Sequence, residues 1–162
     1  MAASTNPNDP TRTEQDIVAE TLAKIETSWT GLMDAIEGIP DDKLRERGAV
    51  GEWSIKDLMG HIAFWDDRAV INAARFNSGA PVDEEVDVQA ANAREAAAGA
   101  DRSLEEQRAT MLRAHQAVVS TLETAPPSGN RVGLCGCLEG DTFEHYDEHA
   151  DDVRLWRQEA GI

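Results

Sequence analysis

The sequence is poor in positive charge. It has 15 lysine and arginine residues against 31 aspartate and glutamate residues, which gives a formal net charge of −16 at pH 7. Binding to the phosphates of DNA or RNA, or to an anionic membrane surface, requires a basic patch, and the sequence shows none. We therefore expect neither nucleic acid nor a membrane among the partners of this protein.

Long apolar segments and cysteines are also scarce. No apolar run approaches the ~18 residues that a membrane-spanning helix needs. The segment from Met1 to Pro10 lacks the basic and apolar regions of a signal peptide. Two cysteines in 162 residues cannot form the disulfide framework typical of small secreted proteins. Together these absences predict a cytoplasmic protein.

The two cysteines, Cys135 and Cys137, lie in one short glycine-rich segment that we interpret as a loop. A Cys-x-Cys pair can bind a metal or form a strained local bridge. It can also consist of two ordinary thiols, which is the interpretation we favour. The pair therefore remains a minor candidate for a functional site.

What the sequence does contain is helical periodicity along almost its whole length. In the first predicted helix, apolar residues recur at alternating steps of four and three: Val18, Leu22, Ile25, Trp29, Leu32 and Ile36. No segment alternates β-branched and polar residues over a useful length, so no strand is predicted. The length predicts a single domain over residues 12–162, and the polar residues 1–11 are expected to form a disordered tail.

Three further amphipathic helices follow, each with a start signal. Ser54 is the predicted N-cap of the second helix, with Asp57 as its capping-box partner. Ser103 and Glu106 form the same pattern before the third helix, and Asp141 is the predicted N-cap of the last. The tryptophans at helical spacing are interpreted as core residues: Trp29, Trp53, Trp65 and Trp156.

The connections predict how these helices are arranged. Four amphipathic helices of this kind form a four-helix bundle. The segment between the second and third helices, residues 80–102, contains a short Ala-rich helix that ends at Gly99, and it is long enough to cross the bundle. We therefore predict an all-α four-helix bundle of up-down-down-up topology, with a long crossover between helices two and three.

The chemical signal lies in the histidines, of which there are four. His145 and His149 lie one turn apart and about 40° apart around the last helix, so both imidazoles can reach one metal ion. His61 lies beside the apolar face of the second helix, and the fold would bring it to the same core edge. Three histidine ligands leave coordination positions open, which is typical of catalytic metal sites. His115 has no spaced partner and is interpreted as a core residue.

Carboxylates lie above and below the histidine pair on the last helix. Asp152 lies within about 20° of His145 around the helix, so it has the best position to orient a ligand histidine or take a proton. Glu148 is a second candidate for this role. Asp57 is a third, but its carboxylate is also the predicted partner of Ser54 in the capping box of the second helix. Residues 145–149 also match the H-x-x-E-H motif of inverted zinc proteases, but too few residues follow to supply that family's distant third ligand.

Two segments resemble the DinB-like superfamily of four-helix-bundle metalloenzymes. The segment from Gly51 to Trp65 has the family's Trp-Ser cap, Lys-Asp pair and histidine before another tryptophan, and the segment from Thr142 to His149 is similar to its final-helix HxxxH. The resemblance extends over nearly the whole chain. Among the subgroups, the sequence most resembles DfsB-like and colibactin-self-resistance-like proteins and the metal-binding domain of mycothiol-dependent maleylpyruvate isomerase.

The resemblance implies a divalent metal, most often zinc or nickel, held by His61, His145 and His149. It also implies an enzyme acting on a small electrophilic molecule, as a thiol-dependent S-transferase or isomerase or as a hydrolase, in detoxification or self-resistance. A low-molecular-weight thiol is then an expected cofactor and a homodimer an expected assembly. These activities diverge on one fold, so a non-catalytic metal- or small-molecule-binding stress-response protein stays open as the alternative.

Overall fold

The computed structural model describes residues 13–82, 86–126 and 130–162, and the predicted tail of residues 1–11 lies outside these ranges. The described residues contain seven helices: α1 (Glu14–Ile36), α2 (Asp41–Leu44), α3 (Ile55–Ser78), α4 (Val88–Gly99), α5 (Leu104–Glu123), α6 (Arg131–Glu139) and α7 (Phe143–Ala160). Within the same ranges there is no β-strand. The chain is therefore all-α, as predicted.

Polar residues before α3 and α5 determine where these helices begin. The Ser54 side chain accepts a hydrogen bond from the backbone N–H of Asp57, and the Asp57 carboxylate accepts one from the backbone N–H of Ser54. Ser103 and Glu106 form the same reciprocal pair at the start of α5. Each capping box satisfies backbone donors that the first helical turn leaves without a partner. Both predicted starts are confirmed.

The predicted start of the last helix is wrong. α7 begins after Thr142, whose side chain makes no capping hydrogen bond. The carboxylate of Asp141, which we predicted as the N-cap, instead accepts a hydrogen bond of 2.7 Å from the guanidinium of Arg68 on α3. A partly buried ion pair between α3 and the α6–α7 connection competed with a cap of about 1 kcal/mol for this side chain.

The predicted loop around the cysteines is also wrong, because this segment forms α6. Its glycines disfavour a helix by about 1 kcal/mol each, but Leu134, Cys135 and Leu138 are buried in the core and hold the segment in place. Both cysteines are free thiols. Cys137 lies two residues from Cys135, so the two side chains point about 160° apart around the helix and cannot form a bridge.

The four long helices pack mainly as two pairs, α1 with α7 and α3 with α5. α1 and α7 run parallel, because the carbonyl of Gly31 accepts a hydrogen bond from Arg154 and that of Ala35 accepts one from Arg157. The two donors on α7 and their two acceptors on α1 therefore occur in the same order along the chain, as they do in a parallel pair of helices.

The remaining contacts establish the other two directions. Arg68, late in α3, reaches the start of α7, while His61, early in α3, lies 5.0 Å in ring-centroid distance from His149 further along α7. α3 is therefore antiparallel to α7. The same comparison applies to α1 and α5, where Trp29 stacks on His115. Met33 lies one turn after Trp29 in α1, and it lines a cavity with Arg108, which lies two turns before His115 in α5. α5 is thus antiparallel to α1, which confirms the up-down-down-up topology.

The predicted crossover helix is α4. Asp87 is its N-cap, and Ala91, one turn later, is buried. The Lys56 side chain at the start of α3 donates a hydrogen bond of 3.0 Å to the carbonyl of Ala100, just after α4. α4 therefore packs on α3 and covers one side of the bundle next to the histidines.

Fully buried apolar side chains from the four long helices form the core: Ile25, Leu32, Leu58, Ile62, Met111, Leu122 and Val153. Of the tryptophans, Trp29 and Trp65 are buried, whereas Trp53 and Trp156 are only partly buried. The prediction that all four belong to the core is therefore confirmed for Trp29 and Trp65 and only partly met by Trp53 and Trp156. None of the helices in the described ranges has the length and apolar character needed to cross a membrane.

Candidate metal centre

Three histidines meet between α3 and α7. Nε2 of His61 is 2.8 Å from Nε2 of His145, and Nε2 of His149 is 3.0 Å from the same atom. The three ligand nitrogens all lie within 4.8 Å of one another. The antiparallel packing brings the N-terminal half of α3 against the first two turns of α7, and this joins the three residues that the sequence singled out. The group could hold a metal ion.

The donor set fits a metal ion better than it fits hydrogen bonding among the histidines. Nε2 of His145 carries either one hydrogen or one lone pair, yet it faces two Nε2 atoms at hydrogen-bond distance. One of these contacts is therefore unsatisfied. A cation accepts a lone pair from each ring. Ligand nitrogens at tetrahedral positions around zinc lie ~3.3 Å apart, close to the separations of 2.8 Å and 3.0 Å that His61 and His149 make with His145.

Two of the imidazoles are strongly biased toward the neutral form. Burial, together with the neighbouring His149, lowers the pKa of His61 to about 4. Burial likewise lowers the pKa of His145 to about 3, with contributions from His149 and His61. The neutral ring is the form that binds a metal. These two side chains are thus available as ligands at neutral pH.

Asp152 supports the cluster from outside. Its carboxylate lies 2.9 Å from Nδ1 of His149 and is placed to accept the N–H of that atom. A proton held at Nδ1 leaves the lone pair of Nε2 directed at the other histidines, a common arrangement around metal-bound histidine. Of the other two candidates, Glu148 is exposed at the edge of the cluster, and Asp57 is occupied by the capping box of α3.

A cleft with a volume of about 360 Å³ opens onto the three histidines. Its other lining residues come from the loop before α3, from α3, α4 and α7, and from the α6–α7 connection: Trp53, Trp65, Val88, Asn92, Gly140, Asp141 and Glu148. The Trp53 ring centroid lies 4.8 Å from that of His61, and the Trp65 centroid lies 6.2 Å from that of His145. Two indole rings therefore flank the candidate metal centre.

Sequence reasoning missed the contribution of α4 and the position of the tryptophans. Asn92 accepts a hydrogen bond of 3.3 Å from the indole N–H of Trp65, so it anchors one wall of the cleft. Its helix has no apolar stripe, and nothing in the sequence indicated which side of α4 would face the histidines. Trp65 is buried, as a core residue would be, but it also lines the cleft.

His115 lies apart from the cluster. Its ring stacks on Trp29 with centroids 3.8 Å apart, and its Nδ1 lies 3.3 Å from the hydroxyl of Tyr146. The same hydroxyl donates a hydrogen bond of 2.6 Å to Asp66, which is fully buried. Burial raises the pKa of the Asp66 carboxyl well above its usual value. His115 is thus a core residue, as predicted, and its network with Asp66 was not foreseen.

A comparison with family models now identifies the superfamily. Residues 24–133 match the model described as the DinB superfamily, which is more than half of the chain. The chain belongs to the DinB superfamily. The matched region includes His61 and ends before α7, so the match does not extend to the two histidines of that helix.

The comparison with solved structures supports the same fold. This DinB superfamily chain is similar to a crystal structure of an uncharacterised protein from Escherichia coli UTI89, with a TM-score of 0.73 and 18% sequence identity. The similarity covers 90% of this chain and 95% of the other. At that identity the likeness concerns the fold alone. A search of curated proteins found no match.

Proposed function

We propose that this protein is a metal-dependent enzyme acting on a small electrophilic molecule, in detoxification or self-resistance. One observation carries the proposal, namely the convergence of His61, His145 and His149 beneath a cleft of about 360 Å³. This volume lies within the range of small-molecule sites, ~300–1,000 Å³. A divalent ion held by three imidazoles supplies a Lewis acid with open coordination positions. Zinc and nickel are the ions we expect.

The residues around the histidines have separate tasks in this proposal. Asp152 holds the N–H of His149 and thereby orients its ring. The Glu148 carboxylate lines the cleft and can accept a proton from an incoming nucleophile. Trp53 and Trp65 shield the neighbouring imidazole rings of His61 and His145 from water on one side. They also contact the apolar part of the substrate.

The nucleophile is expected to come from outside the chain. None of the described residues that line the cleft is a cysteine, serine or threonine. Cys135 is buried in α6, and burial raises the pKa of the Cys137 thiol. A low-molecular-weight thiol would make the protein an S-transferase or isomerase, and water would make it a hydrolase. In both cases the attacking S–H or O–H gives its proton to a base such as Glu148 as the new bond to carbon forms, and the carbon–oxygen bond of an epoxide or the bond to the leaving group breaks, its electron pair staying with the departing oxygen or leaving group.

The test is turnover by metal-free protein to which single divalent metals are added back. Each sample receives an electrophile, such as an epoxide or a chlorodinitrobenzene, with or without a low-molecular-weight thiol. We expect turnover that stops on chelation and returns with metal, that is lost in His145→Ala, and that persists in the Cys135→Ser/Cys137→Ser variant. Stoichiometric capture without turnover would favour the alternative, a non-catalytic binding protein of the stress response.

A further inference from the structure

In the part of the chain that the structure describes, the cleft above the three histidines is lined by acidic but not by basic side chains. Among the described lining residues the charged groups are Asp141 and Glu148. The Asp141 carboxylate is bound to Arg68, with both side chains less than 20% exposed (17% and 19%). Glu148 is exposed and forms no ion pair with any described residue. Among the described lining residues, its carboxylate is therefore the unpaired charge that a ligand meets at the cleft.

The neighbouring cation is already occupied. Arg68 donates to Asp141 at 2.7 Å, and its guanidinium carbon lies 5.1 Å from the ring centroid of Trp65. A negatively charged ligand would thus enter a cleft whose described lining residues include no cationic side chain, next to the carboxylate of Glu148. Desolvating an unpaired anion and placing it beside a like charge are both unfavourable.

The walls of the cleft favour flat apolar groups. The ring centroids of Trp53 and Trp65 lie 4.8 Å and 6.1 Å from that of His61. The Trp65 indole N–H is directed to Asn92, so this residue offers its ring rather than a hydrogen-bond donor. Indole rings contact flat apolar groups well and attract cations through their π electrons.

We infer that the part of the substrate bound in this cleft is a flat apolar group without negative charge, and that Glu148 sets this selectivity. The inference rests on the proposed function in one respect, because it takes the cleft as the substrate site. It excludes dicarboxylate electrophiles, which would need a basic side chain at the walls. A bound metal ion acts on the atom that coordinates it at the histidines, whereas Glu148 acts on the group that contacts the tryptophans.

Three probes with the same ring and different charge test this inference. They are tryptamine, a cation; 3-methylindole, which is neutral; and indole-3-acetate, an anion. Their binding to the metal-free protein is measured by calorimetry, and the indole N–H signals of Trp53 and Trp65 are followed by NMR. We expect tryptamine and 3-methylindole to bind, and indole-3-acetate to bind ~10-fold more weakly than tryptamine or not at all. Equal binding of tryptamine and indole-3-acetate would overturn the inference, as would no binding of any probe.

Variants of Glu148 assign the selectivity to one side chain. In Glu148→Gln, tryptamine should lose severalfold in affinity while 3-methylindole changes less than twofold. In Glu148→Lys, indole-3-acetate should bind more tightly than tryptamine. Glu144→Lys is the matched control, because Glu144 lies one turn earlier on α7, is exposed and does not line the cleft. A Glu148→Lys protein with the same order of affinities as Glu144→Lys would contradict the assignment.

The same measurements with metal-loaded protein separate this inference from the proposed function. Glu148→Lys should still favour indole-3-acetate over tryptamine, relative to Glu144→Lys, when the histidines carry a metal. A protein that binds no metal, or that turns nothing over, would contradict the proposed function while the charge selectivity of the metal-free cleft is still measured. Loss of the selectivity in a protein that does turn over electrophiles would contradict only the inference about the substrate.

Discussion

The hydroxyl of Tyr146 on α7 donates a 2.6 Å hydrogen bond to the buried carboxyl of Asp66 on α3. Tyr146 directly follows His145 in the sequence, and Asp66 directly follows Trp65. The bond therefore joins the two helices at the level of the candidate metal centre. It also satisfies one oxygen of a carboxyl whose other oxygen has no hydrogen-bond partner among the described residues.

Tyr146→Phe should destabilise the protein by about 1–3 kcal/mol, because it leaves a buried carboxyl oxygen without its donor. Chemical denaturation in urea measures the change. Tyr146→Phe combined with Asp66→Leu should cost less than the sum of the two single variants, because the double variant removes both polar partners. Strict additivity would show that the two side chains do not interact.

His61→Ala should abolish tight metal binding without unfolding the chain, because the histidine cluster lies at the edge of the core and opens onto a cleft. Metal content is measured by elemental analysis of protein purified without an affinity tag, and folding by circular dichroism. The matched control is His115→Ala, in which the three clustered histidines remain. If a variant lacking His61, His145 and His149 still carried one equivalent of metal, the site would have been misplaced.

Asp152→Asn should weaken metal binding or turnover by about 10–100-fold, because Asp152 orients the His149 ring through Nδ1. Asp151→Asn is the control, since the neighbouring carboxylate is 79% exposed and pairs with Arg154 instead. A metal titration of both variants in parallel makes the comparison. Equal metal affinity of the two variants would argue against an orienting role for Asp152.

The metal-free protein should lose stability as the pH falls below about 6.5, the ordinary pKa of histidine. Folding lowers the pKa of His61 to about 4 and that of His145 to about 3. In this window the unfolded chain binds protons that the folded chain does not, so each group adds a slope of about 1.4 kcal/mol per pH unit. Urea denaturation from pH 7 to pH 4 should show a smaller slope in His61→Asn. An identical slope would contradict the buried neutral state of His61.

Gly60→Ala should destabilise the junction of α3 and α5. A Cβ atom at Gly60 would lie 2.0 Å from Nε2 of Gln107, whose side chain is 1% exposed and has little room to move. Such overpacking costs about 1–3 kcal/mol. Gly136→Ala in α6 is the control, since nothing lies within 4 Å of its Cβ and the helix should gain up to ~1 kcal/mol. Thermal unfolding of both variants would test the contrast, and destabilisation of Gly136→Ala alone would contradict it.

The sequence by itself determined the long helices and the candidate ligands on them. Ser54 and Ser103 mark helix starts because a capping box involves residues only three positions apart, and the apolar stripes reflect the period of a single helix. His145 and His149 point to a shared ion for the same reason, since their spacing is one turn. The parallel arrangement of α3 and α5 followed from the length of the connection between them.

The tertiary structure decided what each side chain has as a partner. Asp141 pairs with Arg68, 73 positions away, and not with its own helix. The residues around Cys135 form a helix because the core buries them, against the preference of their glycines. Trp65 becomes a wall of the cleft because Asn92 of α4 packs beside it. Each of these outcomes depends on groups distant in sequence, whose contact energies equal or exceed the local preferences of about 1 kcal/mol from which helix ends and loops are predicted.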